Sequence, residues 1–257
     1  EGAQALSKTM TINGSYEGRS SYYAYSNPNA PVWRSTGLYL VAGTVATVTV
    51  PEHATDDGLS VLVGSHTDTL WKLESIERFP RITRSFPIET AETEIGSRFG
   101  GLIYVRVPGG VDVGEIEVTL DGAIAAPRYI HGVTTLEQWQ TIERNHPAPF
   151  AEIGSGKFVM SMQSAQIREL DDPSTIMDFW DTVLDYDADL EGTPHDRVRE
   201  ERFAFDRQIS AGWMHSGYPL MAYVSATTEL LDVATIQENG AWGPFHELGH
   251  NHQYKPW

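Results

Sequence analysis

The sequence predicts an α+β protein in which a β-sandwich comes first and a mixed helical and strand region follows. Three observations carry this. Short β-branched runs separated by Gly and Pro turns fill residues 35–126. The hydrophobic period changes from two to about 3.6 after Pro127. A His-Glu-x-x-His run, His246-Glu247-Leu248-Gly249-His250, lies close to Trp257.

Taken in order, residues 1–34 read as an irregular polar leader, with 20–25 and 27–31 as loop. Residues 45–50 are β-branched and stop at Pro51, 59–63 alternate up to Gly64, and 101–107 close on Pro108-Gly109-Gly110. The cleanest alternation is 115–120, with Ile116, Val118 and Leu120 on one face and Glu115, Glu117 and Thr119 on the other. Regular spacing of such strands argues a sandwich over 35–126, a structural platform or a glycan-binding module. Beyond it, Thr134 and Glu137 offer a capping box ahead of Leu136, Trp139 and Ile142, and 157–162 read as a strand. Asp172-Pro173 then opens a helix whose Ile176, Phe179, Trp180, Val183 and Leu184 fall on one buried stripe. Asp181, Asp185, Asp187, Asp189 and Glu191 lack the glycine of a calcium loop and read as a solvated face, and Arg197, Arg199 and Arg202 as an exposed helix with local ion pairs. A Gly- and aromatic-rich loop at 211–219 precedes a short helix or helix-turn over 227–237, which Asn239-Gly240 stops.

Composition narrows the function. The 257 residues suffice for one large or two modest domains, and 35 acidic against 18 basic side chains give a net charge of −17. That surface repels phosphate backbones, so nucleic acid is not an expected partner. No apolar run reaches the roughly 18 residues of a membrane span, and the absence of cysteine leaves the redox compartment unread.

The chemistry is in the last sixteen residues. Side chains four apart share a helix face, so His246 and His250 can both turn an imidazole to one Zn²⁺. Glu247, one position round, stands where a carboxylate can take a proton from a water acidified by the metal and pass it to a leaving amine. Pro244 suits the first turn and Pro256 ends the run, while Gly249 costs the helix roughly 1 kcal/mol. The third ligand is not evident. A histidine six residues after His250 would be at 256, which is Pro256, and His252 lies about 200° round the helix from His250. A glutamate further along remains, expected beyond Trp257.

The run Trp-Gly-Pro-Phe-His-Glu-Leu-Gly-His-Asn-His-Gln at 242–253, with 208–219 upstream, resembles the enhancin-like zinc metallopeptidases of family M60. Residues 35–40, 61–68 and 99–104 resemble the β-rich region ahead of the catalytic part in that family. The resemblance implies a gluzincin-like catalytic domain of which 127–257 is the N-terminal part, with the third ligand, a Glu, at least eight residues after His250. It also implies a secreted or cell-surface endopeptidase acting on O-glycosylated, mucin-like proteins. In the family a Trp just ahead of the His-Glu pair and an upstream Gly help recognise a peptide-linked GalNAc. Trp242 fits the first and Gly217 the second, with His215 and Tyr218 as neighbours in the cleft-lining loop. The alternative on the same fold is a catalytically silent carbohydrate-binding or protein-interaction protein.

Overall fold

Two sheets are built in sequence, and the face between them positions the site. The computed structural model describes residues 4–19, 27 and 29–253, so the expected loop at 20–25, Pro28 and the helix-ending Pro256 lie outside the described residues. The first sheet contains β1 (Leu6–Tyr16), β2 (Val32–Leu40), β3 (Val45–Thr49), β4 (Ser60–Val63), β5 (Arg84–Pro87), β6 (Glu92–Gly96), β7 (Gly101–Val107) and β8 (Val111–Ala125). Its hydrogen-bonded order is β5-β4-β7-β2-β8-β3-β6, with β1 also on β8. The long β8 pairs with β1 and β3 over most of its length and with β2 at its end, which folds the sheet over on itself into a sandwich.

Alternation explains the packing. Ile116, Val118 and Leu120 of β8 enter the sandwich core with Val48, Val61, Val63, Ile103 and Val105, while Thr119 and Glu117 face outward and bond to Thr9 and Thr11 of β1. β4 and β7 are apolar on both faces: Leu62, Leu102 and Tyr104 form a second cluster with Trp33, Ile124 and Tyr218, on the side facing the second sheet. A strand buried on both sides has no polar face to show, so its sequence runs apolar without a period.

The second sheet has the order β13-β14-β12-β11-β10-β9, from β9 (Arg128–Ile130), β10 (Phe150–Gly154), β11 (Phe158–Gln163), β12 (Glu201–Asp206), β13 (Met214–His215) and β14 (Leu220–Tyr223). β9–β10, β11–β12 and β12–β14 are parallel pairs. The helices are α1 (Leu136–Thr141), α2 (Ser174–Glu191), α3 (Ala226–Leu231), α4 (Val233–Asn239) and α5 (Trp242–His252). The expected stripe is the inner face of α2: Trp180 is fully buried and stacks on Phe158 with ring centroids 4.8 Å apart, and Ile176 and Leu184 flank it. The described residues hold no helix long and apolar enough to cross a membrane.

Four expectations need correction. The leader is not irregular over 6–16, because that segment is β1, paired along β8. Polar residues on its outer face hide the strand, since an outer strand needs apolar residues only on its inner side. The capping box is one residue later, on Thr135 and Gln138, and α1 is so short that only Trp139 is buried while Leu136 and Ile142 stay exposed. Arg197, Arg199 and Arg202 are not on an exposed helix: Arg202 is in β12, and it and Arg199 are almost fully buried. Buried carboxylates pay their desolvation, Arg202 meeting Glu152 and Glu200 and Arg197 meeting Glu201. The acidic residues of α2 are likewise not all solvated, for Asp181 bonds Ser155, Asp185 bonds Lys157 and Glu191 bonds Arg19.

Candidate active site

The site is built on α5, which starts from an extended Ala241 without a side-chain cap and puts Pro244 in its first turn, where a missing N–H has no cost. Leu248 anchors it in the core, and Phe245 reaches Trp180 of α2 at 6.0 Å between centroids. Gly243 sits at a close approach, since a Cβ there would come to 3.0 Å from the Met214 sulfur on β13 and 3.3 Å from the Trp213 ring. A Cβ at Gly249 would meet nothing within 4 Å, and nothing in the structure explains that glycine.

His246 and His250 lie one turn apart with their Nε2 atoms 3.1 Å from each other. Two neutral imidazoles can face in this way only if one donates a proton to the other or a cation lies between them. At Zn–N distances of about 2.0–2.1 Å, two ligands of a tetrahedral zinc have their nitrogens about 3.3–3.4 Å apart, so the pair fits the ion. Nδ1 of His250 is 3.2 Å from Oε1 of Gln253; with the proton on Nδ1, the Nε2 lone pair is left for the metal. The His246 ring stacks on Trp242, with centroids 4.2 Å apart and planes 19° apart, while Trp242 itself is 76% exposed. Among the described residues no third His, Cys, Asp or Glu joins the two to complete a metal-binding group.

Glu247 is buried on the same helix, and its charge acts on His215 of β13. His215 Nε2 is 2.8 Å from Oδ2 of Asp68 and Nδ1 is 3.0 Å from the Ser216 carbonyl. Burial alone would lower its pKa; the bonds to Asp68 and Ser216, with the charges of Asp68 and Glu247, outweigh it and raise the pKa above the usual histidine value. Asp68, which burial would push up, is held low by His215 and Ser210. A sandwich loop thus fixes a cation-prone imidazole beside the helix glutamate.

The model of the peptidase M60 family, enhancin and enhancin-like, matches residues 122–257, and that of the N-terminal domain of M60-like peptidases matches 5–121. The chain belongs to the M60 peptidase family. Among its relatives, TRPM8 channel-associated factor 2 of Bos taurus is 38% identical over 231 residues, 90% of this chain and 25% of the relative, and that of Homo sapiens 37% identical over 249 residues, 97% and 26%. The chain therefore spans about a quarter of the length of these relatives. In fold it is similar to a conserved Bacillus anthracis protein of unknown function, with a TM-score of 0.76 at 18% identity over 97% of this chain and 52% of that one. It is also similar to the M60 catalytic domain of Clostridium perfringens ZmpC, solved in complex with the sialyl T antigen, with a TM-score of 0.72 at 15% identity over 96% and 53%.

In this M60 chain the loop residues divide. His215 lies where the Glu247 charge reaches it, as Trp242 of α5 stacks on His246. Gly217 does not reach it by a side chain; its φ of +145° suits glycine, and its N–H and carbonyl are both held by the Asn251 carboxamide of α5, at 3.1 and 2.9 Å. Tyr218 is turned into the interior, its hydroxyl donating to Glu200 at 3.1 Å and its ring under the Arg199 guanidinium at 4.1 Å, so it packs the joint between the sheets and presents no surface to a substrate.

The residues that seat α5 form no motif in the sequence. Asn251 Nδ2 also donates to Oε2 of Glu201 at 2.7 Å, and Oε1 of Glu201 takes Arg19 at 2.7 Å and Arg197 at 2.9 Å. His252 faces the same cluster and is pushed down to about 4, by burial above all, so it stays neutral. No signal of spacing marks these residues, because they come from four separate segments.

Asp187 of α2 lies against this cluster with a buried Oδ2 that has no hydrogen-bond partner and stands 3.6 Å from Nδ1 of His252. Burial first, then the charges of Glu201 and Glu191, push its carboxyl up to about 6 against the pull of Arg197 and Arg19. A folded pKa above the ordinary 3.8 means that ionisation costs stability, a cost absent below about pH 4 and complete above about pH 6. Asp187→Asn is expected to raise stability at pH 7.5 by about 1–2 kcal/mol, roughly 3–6 °C, and to change it little at pH 4. Thermal unfolding at the two pH values decides, and equal stability of both proteins at pH 7.5 refutes the assignment.

Proposed function

We propose that this chain carries the metal helix of a zinc-dependent endopeptidase that cuts peptide bonds in O-glycosylated, mucin-like proteins outside the cell or at its surface. The observation that carries this reading is the convergence of the His246 and His250 Nε2 atoms beside Glu247. The remaining protein ligand in this proposal is a glutamate following Trp257. His246, His250 and that glutamate would hold the zinc, which would supply Lewis acidity to a scissile carbonyl and to a water. Glu247 accepts that water's proton and returns it to the departing amine. His215, kept cation-prone by Asp68, offers positive charge to developing negative charge on the substrate. Trp242, exposed and aligned over His246, offers a flat aromatic face to a sugar next to the scissile bond.

A second reading, a catalytically silent interaction protein, is favoured by one finding: the relatives that are 36–38% identical are described as TRPM8 channel-associated factors. Substrate cleavage separates the two. A GalNAc-bearing mucin-type peptide is expected to be cut by the full-length protein and its unglycosylated twin left intact, as followed by mass spectrometry. Equal cleavage of both leaves a general peptidase, and cleavage of neither, with zinc present, supports the silent protein.

A further inference from the structure

Away from α5, the loop between β4 and β5 closes over the ends of β11 and β12 and leaves a cavity of about 200 Å³. That is room for six or seven waters at about 30 Å³ each, or for one sugar ring. Aromatic rings wall it: Tyr39 and Phe150 stack at 6.4 Å, and Phe99 and Phe205 complete the sides. Ser65, 1% exposed, lines it with a hydroxyl that has no hydrogen-bond partner, which is uncommon for a buried polar atom. Gln163 brings a carboxamide to the same lining. Burial holds His66, also in the wall, below the ordinary histidine pKa and so uncharged.

The ionic groups around the cavity are already compensated. Arg78 pairs with Asp206 at 2.7 Å, and Arg207 has Glu77 at 3.6 Å. Among the described residues an anion finds no unpaired cation there, and an apolar side chain would leave the Ser65 hydroxyl unpaired. From the mouth a ridge of exposed rings runs outward, Phe99 to Phe79 at 5.1 Å and Phe79 to Trp71 at 6.2 Å, in a surface otherwise rich in carboxylates. Flat faces next to uncharged hydroxyl and amide groups match the C–H face and hydroxyls of a pyranose.

We propose that this cavity and the Phe99–Phe79–Trp71 ridge form a carbohydrate subsite that takes one neutral sugar ring of a glycan whose remainder lies along the ridge. The loop that bears Trp71 and Phe79 also bears Asp68, the partner of His215, so one segment of the sandwich serves both this subsite and the helix site. The subsite needs no metal at His246 and His250 and stands whether or not that helix is catalytic.

The test is therefore made on metal-stripped protein, titrated with the methyl α-glycosides of galactose, glucose, fucose and GalNAc and followed by saturation-transfer NMR and calorimetry. At least one sugar is expected to bind with a Kd on the order of 1 mM. Ser65→Ala and Phe99→Ala are each expected to weaken it by about fivefold or more. Ser65→Ala removes a hydroxyl that bonds to nothing and Phe99→Ala changes the surface, so both variants should fold, which thermal unfolding verifies. Failure of every sugar to bind at about 20 mM, or an affinity that neither substitution changes, overturns the proposal.

Discussion

Glu247→Gln in the full-length protein is expected to lower kcat by about 10²- to 10⁴-fold while zinc stays bound, as measured by peptide cleavage and elemental analysis on the same sample. The substitution keeps the size of a side chain that is buried in α5, so the helix, the His246 and His250 pair and the stacked Trp242 should remain in place. What is lost is the ability to hold the water's proton. Substrate affinity should change little, which puts the effect in kcat and not in KM. His246→Ala or His250→Ala should instead remove the metal itself. Cleavage by Glu247→Gln at the parent rate would mean that another group is the base.

The sequence told most where one local rule decides the structure. The stripe on α2 and the alternation of β8 are consequences of a period: Ile176, Trp180 and Leu184 are buried with Phe179 and Val183 half-buried beside them, and Ile116, Val118 and Leu120 are buried on one face of β8. His246 and His250 converge because four residues make about one turn, whatever the rest of the chain does. Reading failed where burial is set by partners distant in sequence. Arg202 in isolation belongs in water, and it is in the core because Glu152, fifty residues earlier, and Glu200 accept hydrogen bonds from its guanidinium and balance its charge. Tyr218 looked like a cleft residue because it follows Gly217, yet the chain turns its ring inward to Arg199 and Trp33. Asp68 and His215 come from different regions and met only when the sandwich loop was seen to reach β13. Asn251, in the middle of a recognisable motif, had no role to read until its partners Gly217 and Glu201 were seen.

Glu201→Gln is expected to be the most destabilising single change under the site, by about 3–5 kcal/mol, because it leaves the buried Arg197 without its paired carboxylate and Arg19 with Glu191 alone. Arg19 comes from the segment after β1, Arg197 from the segment before β12, and Asn251 from α5, so this one carboxylate ties the sandwich, the second sheet and α5 together. Burial opposes its ionisation, but Arg19 and Arg197 outweigh burial and hold its pKa down to about 2. A folded pKa below the ordinary 4.5 gives stability that is complete above about pH 4.5 and disappears as pH falls toward 2. The melting temperature of Glu201→Gln at pH 7 should therefore drop by roughly 10 °C, and its gap from the parent should narrow steadily on acidification. Since the amide can no longer balance Arg19 and Arg197, the seat of Asn251 should loosen too, and amide exchange in α5 should rise before global unfolding. A pH-independent gap, or unchanged exchange in α5, would show that Glu201 acts by shape alone and that its charge does not hold the metal helix.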